Sequence, residues 1–247
     1  MVISRCEGGS VSAITADVHV EALGPASSET LTICAIGDSL CTGWVDTCNA
    51  LAASDGDLGA LQWVGSLSDS PGGLATQAQP GYSAATHLAG DLGDVATWLQ
   101  GLAAPPDIAT IGLGVNAVVF ESDRQAAAFA ELGRIETMIS NLRAELPALR
   151  VVVLTTLPGA ADEAPYLAHD PPLDQWALEQ FLRWQVGAWV DAFGEREGEG
   201  VFVAAAGVGV DPEAHYGLLD WVHTLPTGQQ AIGLAVWPAI KRAMRWA

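Results

Sequence analysis

From residue 31 onward, short unbroken apolar runs alternate with longer stretches in which apolar residues recur at helical spacing. The runs at 31–37, 108–114, 150–156 and 201–206 are rich in Val, Ile, Leu and Ala, and residues 61–67 form a weaker one. A run that is apolar at successive positions, rather than at every second one, suits a strand buried on both faces, as in a parallel sheet. Between the runs, Ser122-Asp-Arg-Gln125 reads as a capping box that opens a helix. Ile135, Met138, Ile139, Leu142 and Leu146 continue it on one face, and Pro147 marks its end. Thr227-Gly-Gln-Gln230 is a second capping box, predicted to open a last helix running toward Trp246. Trp176, Phe181, Trp184 and Trp189 mark a bulky apolar helix whose rings are expected mainly in the core. The alternation predicts one three-layer α/β/α domain around a mainly parallel sheet. Residues 1–29 differ: Val18 and Val20 alternate with polar neighbours, and Gly24-Pro-Ala-Ser-Ser-Glu29 resembles a linker. The expected division is an N-terminal extension over 1–29, an extra strand or linker, and the α/β domain over 30–247.

Composition narrows the partners. The 247 residues fit one large α/β domain or two small ones, and 50% apolar content is ample for a core. Net charge is −19, from 29 acidic and 10 basic residues, and Lys241 is the only lysine. Nucleic acid and anionic membrane surfaces are therefore not expected partners, because phosphate recognition needs basic patches. The acidity fits solubility or host composition better than a salt-rich habitat. No apolar run approaches the roughly 18 residues of a membrane span. The N-terminus lacks the pattern of a signal peptide, so a cytoplasmic protein and the mature form of a secreted one both remain open. Cys6, Cys34, Cys41 and Cys48 include no CxxC pair, so no zinc site is indicated. Cys34 is expected as a buried thiol in its strand. Cys41 and Cys48, if they shared a helix, would stand roughly 10 Å apart, too far for a disulfide. Cys41 beside Ser39 reads as a packed small hydrophobe before it reads as a reactive thiol.

The candidate chemistry starts at Gly37-Asp-Ser-Leu40, which follows the first apolar run. A serine at a strand-to-helix turn projects its hydroxyl where helix N–H groups favour negative charge. An unassisted serine is a poor nucleophile, and Asp220-Trp-Val-His223 supplies a base and a carboxylate to orient it. Ser39, Asn116 and the loop starting at Pro158 each follow a predicted strand, so they should share the carboxyl edge of the sheet, where such folds bind ligands. The acidic, proline-rich loop Pro158–Pro172 is a pocket wall or a solvated connection. Each feature has a plainer alternative: Ser39 as a helix cap, Asp220 and His223 as a surface turn, Asn116 as a turn residue. Their joint occurrence favours the catalytic reading. His87 is the histidine next best placed for a pocket, although an exposed or structural role is favoured; His19, His169 and His215 have no chemical context. Asp211 and His215 read as loop residues. Trp44 and Trp221 pack or stack on substrate. A rival nucleophile elbow, Gly81-Tyr-Ser83-Ala-Ala85, lacks its final glycine and follows Gln77-Ala-Gln-Pro80, which is not strand-like.

Gly37-Asp-Ser-Leu40, Gly81, Gly114-Val-Asn116 and Asp220-Trp-Val-His223 occur in the order of the four blocks of the GDSL/SGNH hydrolase family, and residues 31–247 resemble that family. The resemblance implies a flavodoxin-like α/β fold and a serine esterase, lipase, thioesterase or carbohydrate acetylesterase that needs no metal or cofactor. It implies Ser39 as nucleophile, His223 as general base and then acid, and Asp220 as its orienting carboxylate. The oxyanion donors would be the backbone N–H groups of Ser39 and Gly81 and the side-chain amide of Asn116. Where the family commonly has aspartate after the asparagine, this chain has Ala117, which bears on loop support rather than on the triad. The expected function is hydrolysis of short-chain acyl or O-acetyl esters, with a carbohydrate or other small-molecule ester as substrate. Lipolytic, thioesterase and acyltransferase activities would use the same triad. A non-catalytic carbohydrate-binding scaffold is the alternative of another class. A flavin or nucleotide binder is disfavoured, because Gly37–Gly43 holds Asp38 and no lysine.

Overall fold

The structure, a computed structural model, describes residues 30–55, 61–67, 70–119, 121–168, 172–218 and 220–246. The proposed extension over 1–29, with Cys6, Val18, His19 and Val20, and His169 within the Pro158–Pro172 loop lie outside the described residues. The strands are β1 Leu31–Gly37, β2 Leu61–Trp63, β3 Gln77–Ala78, β4 Ile108–Gly112, β5 Arg150–Leu154 and β6 Val201–Ala204. The helices are α1 Trp44–Ser54, α2 Ala84–Ala89, α3 Val95–Gln100, α4 Val115–Val118, α5 Arg124–Glu145, α6 Ala164–Leu167, α7 Gln175–Phe193 and α8 Pro226–Arg245.

All strand pairs are parallel, in the order β2-β1-β4-β5-β6, and β3 also pairs with β1. Side chains of β1 alternate between two cores, as the two-residue period of a strand requires. Ile33 and Ala35 face a core shared with Trp44 and Val45 of α1 and Val236 and Ile240 of α8. Cys34 and Ile36 face a core shared with Trp98 of α3 and Ile135 and Met138 of α5. This is the three-layer α/β architecture expected from the sequence. Burial on both faces explains why β1 is apolar at almost every position.

The edge beside β1 departs from expectation. Only Leu61–Trp63 of the weak run is strand; it pairs with Leu31–Ile33, and β3 pairs with Ile36 and Gly37. A methyl group on Gly65 would meet the Thr76 carbonyl oxygen at 2.0 Å, so the chain leaves the sheet at this close approach. Gln77-Ala78, which reads as non-strand, is the other half of this edge. Its polarity is deceptive: the buried Gln77 side chain accepts from Ser66 N–H and Trp98 Nε1 and donates to Asp91.

Helix starts also shift. Asp123 caps α5, accepting the Ala126 N–H at 3.0 Å, so the cap is one residue beyond Ser122. Ile135, Met138, Ile139 and Leu142 are buried as their spacing predicts. The last helix opens with Pro226 at its first position, where the missing N–H costs nothing. The box at Thr227 does not form; Gln229 instead donates to Thr224 Oγ1. On α7, Leu178, Leu182, Gln185, Trp189 and Phe193 form the buried stripe. Trp176 falls off that stripe and is 72% exposed, contrary to its reading as core. Among the described residues, no helix is long and apolar enough to cross a membrane. Replacing Asp123 by Ala should cost about 1 kcal/mol in urea unfolding, while Ser122→Ala should lie close to wild type; equal costs would place the cap elsewhere.

Candidate active site

Strand β1 ends where it runs closest to β4. A methyl group on Gly37 would meet Cys41 Sγ at 2.2 Å and the Gly112 carbonyl at 2.8 Å. The chain then turns through one 3-10 turn, Ser39–Cys41. Asp38 caps that turn by accepting the Leu40 N–H at 2.9 Å. Ser39 Oγ lies 2.7 Å from His223 Nε2, and His223 Nδ1 lies 2.8 Å from Asp220 Oδ2. Asp220 Oδ1 accepts the N–H groups of Val222 and His223 at 3.0 and 2.8 Å. The D-x-x-H spacing is therefore a self-capped turn: one carboxylate oxygen closes the backbone and the other orients the ring. An imidazole whose Nδ1–H faces a carboxylate leaves Nε2 to accept a proton from the serine. Partial burial pushes the Asp220 carboxyl up, but the N–H groups of His223 and Val222 and the His223 ring outweigh it, and the acid is held below its ordinary value.

Asn116 stands on α4, directly after β4. Gly114 precedes that helix with φ of 138°, which excludes a side chain in practice. The Asn116 amide donates to the Tyr82 carbonyl at 3.0 Å and to Asp38 Oδ2 at 3.2 Å. It thereby ties the turn containing Gly81 to the turn containing Ser39. Gly81 has φ of 79°, and nothing lies near an added Cβ, so the backbone conformation rather than space calls for glycine. The Gly37 carbonyl accepts from Gln79 N–H at 3.0 Å and from His87 Nε2 at 2.9 Å. The turns after β1, β3 and β4 thus meet at one place. Both Asn116 amide hydrogens have protein acceptors here, so an oxyanion would have to share one of them.

The other candidates separate cleanly. His87 is buried, and burial lowers its pKa against the Gly37 bond; it braces the end of β1. Ser83 sits at the start of α2, with its N–H and Oγ both directed at Thr86 Oγ1, as a helix cap would be. His215 Nδ1 accepts the Asp211 N–H, in keeping with a loop role. Cys41 is buried and donates to the Gly112 carbonyl. It precedes α1, so it shares no helix with Cys48. Burial pushes the Cys34 thiol up to about 12. The Pro158–Pro172 loop includes the short helix α6, whose buried Tyr166 donates to the Ala160 carbonyl. Ala117 packs against the second core.

Two features escape the sequence reading. The first is Asp38, only 1% exposed; burial raises its carboxyl to about 7 despite the Leu40 N–H and the nearby His223. Its signal was present, since an acid between a buried strand and a turn must be hydrogen-bonded. The second is a cavity of about 40 Å³ walled by Leu40, Trp44, Leu154, Leu182, Trp221 and Ile232. Trp44 and Trp221 are buried and pack along it.

Residues 35–231 match the GDSL-like Lipase/Acylhydrolase family. No curated protein is significantly similar in sequence. Among solved structures, a carbohydrate esterase family 3 protein from Talaromyces cellulolyticus superposes with a TM-score of 0.62 at 20% identity, covering 87% of this chain and 98% of that one. The family 3 carbohydrate esterase of Clostridium thermocellum gives 0.62 at 15% identity, over 88% and 98% of the two chains. The lipase/acylhydrolase from Enterococcus faecalis gives 0.54 at 16% identity, over 85% and 95%. At such identities these likenesses concern the fold, and it is the match over residues 35–231 that establishes kinship: the chain belongs to the GDSL-like lipase/acylhydrolase family.

Proposed function

We propose that the protein is a serine esterase acting on short-chain acyl or O-acetyl esters, with Ser39 as nucleophile. The observation that carries this reading is the continuous hydrogen-bonded relay from Ser39 through His223 to Asp220. As Ser39 Oγ attacks the acyl carbon, its proton passes to His223 Nε2, and Asp220 stabilises the imidazolium. Negative charge collects on the carbonyl oxygen, where the N–H groups of Ser39 and Gly81 and the Asn116 amide are the proposed donors. Collapse of the tetrahedral adduct breaks the ester C–O bond, and His223 returns the proton to the leaving alkoxide. Water then attacks the acyl-serine by the same route, releasing the acid and restoring Ser39.

The short-acyl preference draws support from the cavity beside Leu40. Its volume of about 40 Å³ suits an acyl tail of a few atoms, being room for about three water molecules. A longer chain directed into this cavity would meet packed side chains, at roughly 1–3 kcal/mol. A sugar as the alcohol fits the fold shared with the two carbohydrate esterases.

Asp38 links this site to pH. Its folded pKa of about 7 lies above the ordinary 3.8, so the native state holds the proton more tightly than the unfolded chain. The stabilisation from that proton is complete below about pH 3.8 and is lost as pH rises through about 7.

Turnover of p-nitrophenyl acetate should fall by on the order of 10⁴ or more in Ser39→Ala; ordinary activity in that variant would remove Ser39 from the reaction. In the wild type, kcat/KM along the acyl series should drop at least roughly tenfold between butyrate and octanoate, and a rising profile would point to a lipolytic enzyme. Asn116→Ala should lose about 10²–10³ in kcat; unchanged kcat would end its oxyanion role. In thermal melts from pH 4 to 8, wild type should lose stability relative to Asp38→Asn as the carboxyl ionises. A constant difference in Tm would show that Asp38 does not titrate in that range.

A further inference from the structure

A groove of about 440 Å³ runs along the N-terminal half of α7, between that helix and the segments after β5 and β6. This volume is within the roughly 300–1,000 Å³ typical of ligand sites. Pro158 and Gly159 line it and also wall the cavity beside Leu40. The same segment is fastened to the triad turn, because Ala160 N–H donates to the Trp221 carbonyl at 3.0 Å. The groove is therefore tied through Pro158–Ala160 to the turn that carries Asp220 and His223.

Its most unusual wall is Trp176. The ring is 72% exposed, although α7 has a fully formed buried stripe that does not include it. Around it stand Gln175, Glu179, Arg183, Asp211 and Glu213. The polar lining is held in place by local bonds. Gln175 Nε2 donates to the Ala161 carbonyl and to Glu179 Oε1, both at 2.9 Å, and Asp211 Oδ1 accepts the Glu213 N–H at 2.9 Å. A flat apolar ring flanked by carboxylates and a guanidinium matches a pyranose, which has a C–H face to stack and hydroxyls around its rim. A lipid chain would strip water from these carboxylates without offering them a hydrogen bond in return. An anionic sugar would meet three carboxylates against one guanidinium, on a chain of net charge −19.

We propose that this groove is a subsite for a neutral pyranose chain, holding the alcohol portion of the ester with Trp176 as its stacking platform. The inference rests on the esterase reading for its place in the reaction, since the chain would run from the groove to an O-acyl group at Ser39.

The test separates the two readings by measuring binding without turnover. Full-length Ser39→Ala protein is titrated by calorimetry with unacylated glucan, mannan and xylan hexasaccharides and with an oligogalacturonate. At least one neutral hexasaccharide should bind, and the oligogalacturonate should bind more weakly. Adding Trp176→Ala should weaken the neutral sugar by about tenfold, and Trp176→Phe should restore most of the loss. Binding that ignores Trp176→Ala, a preference for the anionic sugar, or no binding by any hexasaccharide would overturn the subsite. Trp176-dependent binding in a protein whose wild type cleaves no ester would retain the sugar site and refute the esterase.

Discussion

The buried carboxyl of Asp38 accepts the Leu40 N–H through one oxygen and the Asn116 amide through the other. Through that pair of bonds the Ser39 turn is joined to α4, and Asn116 passes the connection on to the Tyr82 carbonyl. Three turns that follow three different strands are thereby fixed against one another. Burying a carboxyl is costly unless its oxygens are satisfied, so the fold tolerates Asp38 only where both acceptors find donors. The same constraint gives Ser39 a defined approach to His223, which arrives from the far end of the chain on a turn closed by its own carboxylate.

The sheet itself was the most legible part of the sequence, for a physical reason. Strands buried on both faces must be apolar throughout, and β1, β4, β5 and β6 announce themselves in that way. That Ser39, Asp220 and His223 belong together was legible because they are chemically distinctive types in short motifs, and the fold does bring them within hydrogen-bond distance. What escaped was decided by contacts distant in the chain. Gln77 looks like a loop residue because its partners, Ser66, Asp91 and Trp98, are visible only once folded. Glu131 lies on the α5 stripe yet is wholly buried, because it accepts the Ala84 N–H at the head of α2. Trp176 was misread in the opposite direction: hydrophobicity suggested core, and only its angular position on α7 exposes it.

Chain order and spatial order are used economically in this family fold. Each turn at the carboxyl edge contributes one part of the candidate site, Ser39, Asn116 or His223, and the strands fix the spacing of the first two. The apolar cavity lies behind that row and the polar groove beside it, with Pro158 and Gly159 common to both. A single segment after β5 therefore separates an oily compartment from a wet one.

The divided edge of the sheet has a consequence for the protein in crowded solution. A long, flat outer strand offers a row of unpaired N–H and C=O groups on which another molecule's strand can add. Here that edge is built from a piece of three residues and a piece of two, separated by an excursion closed at Leu67 and Thr76. Neither piece is long enough to template a stable intermolecular ladder. Gly65, pressed against the Thr76 carbonyl, thus helps to keep this edge of the sheet in two short pieces.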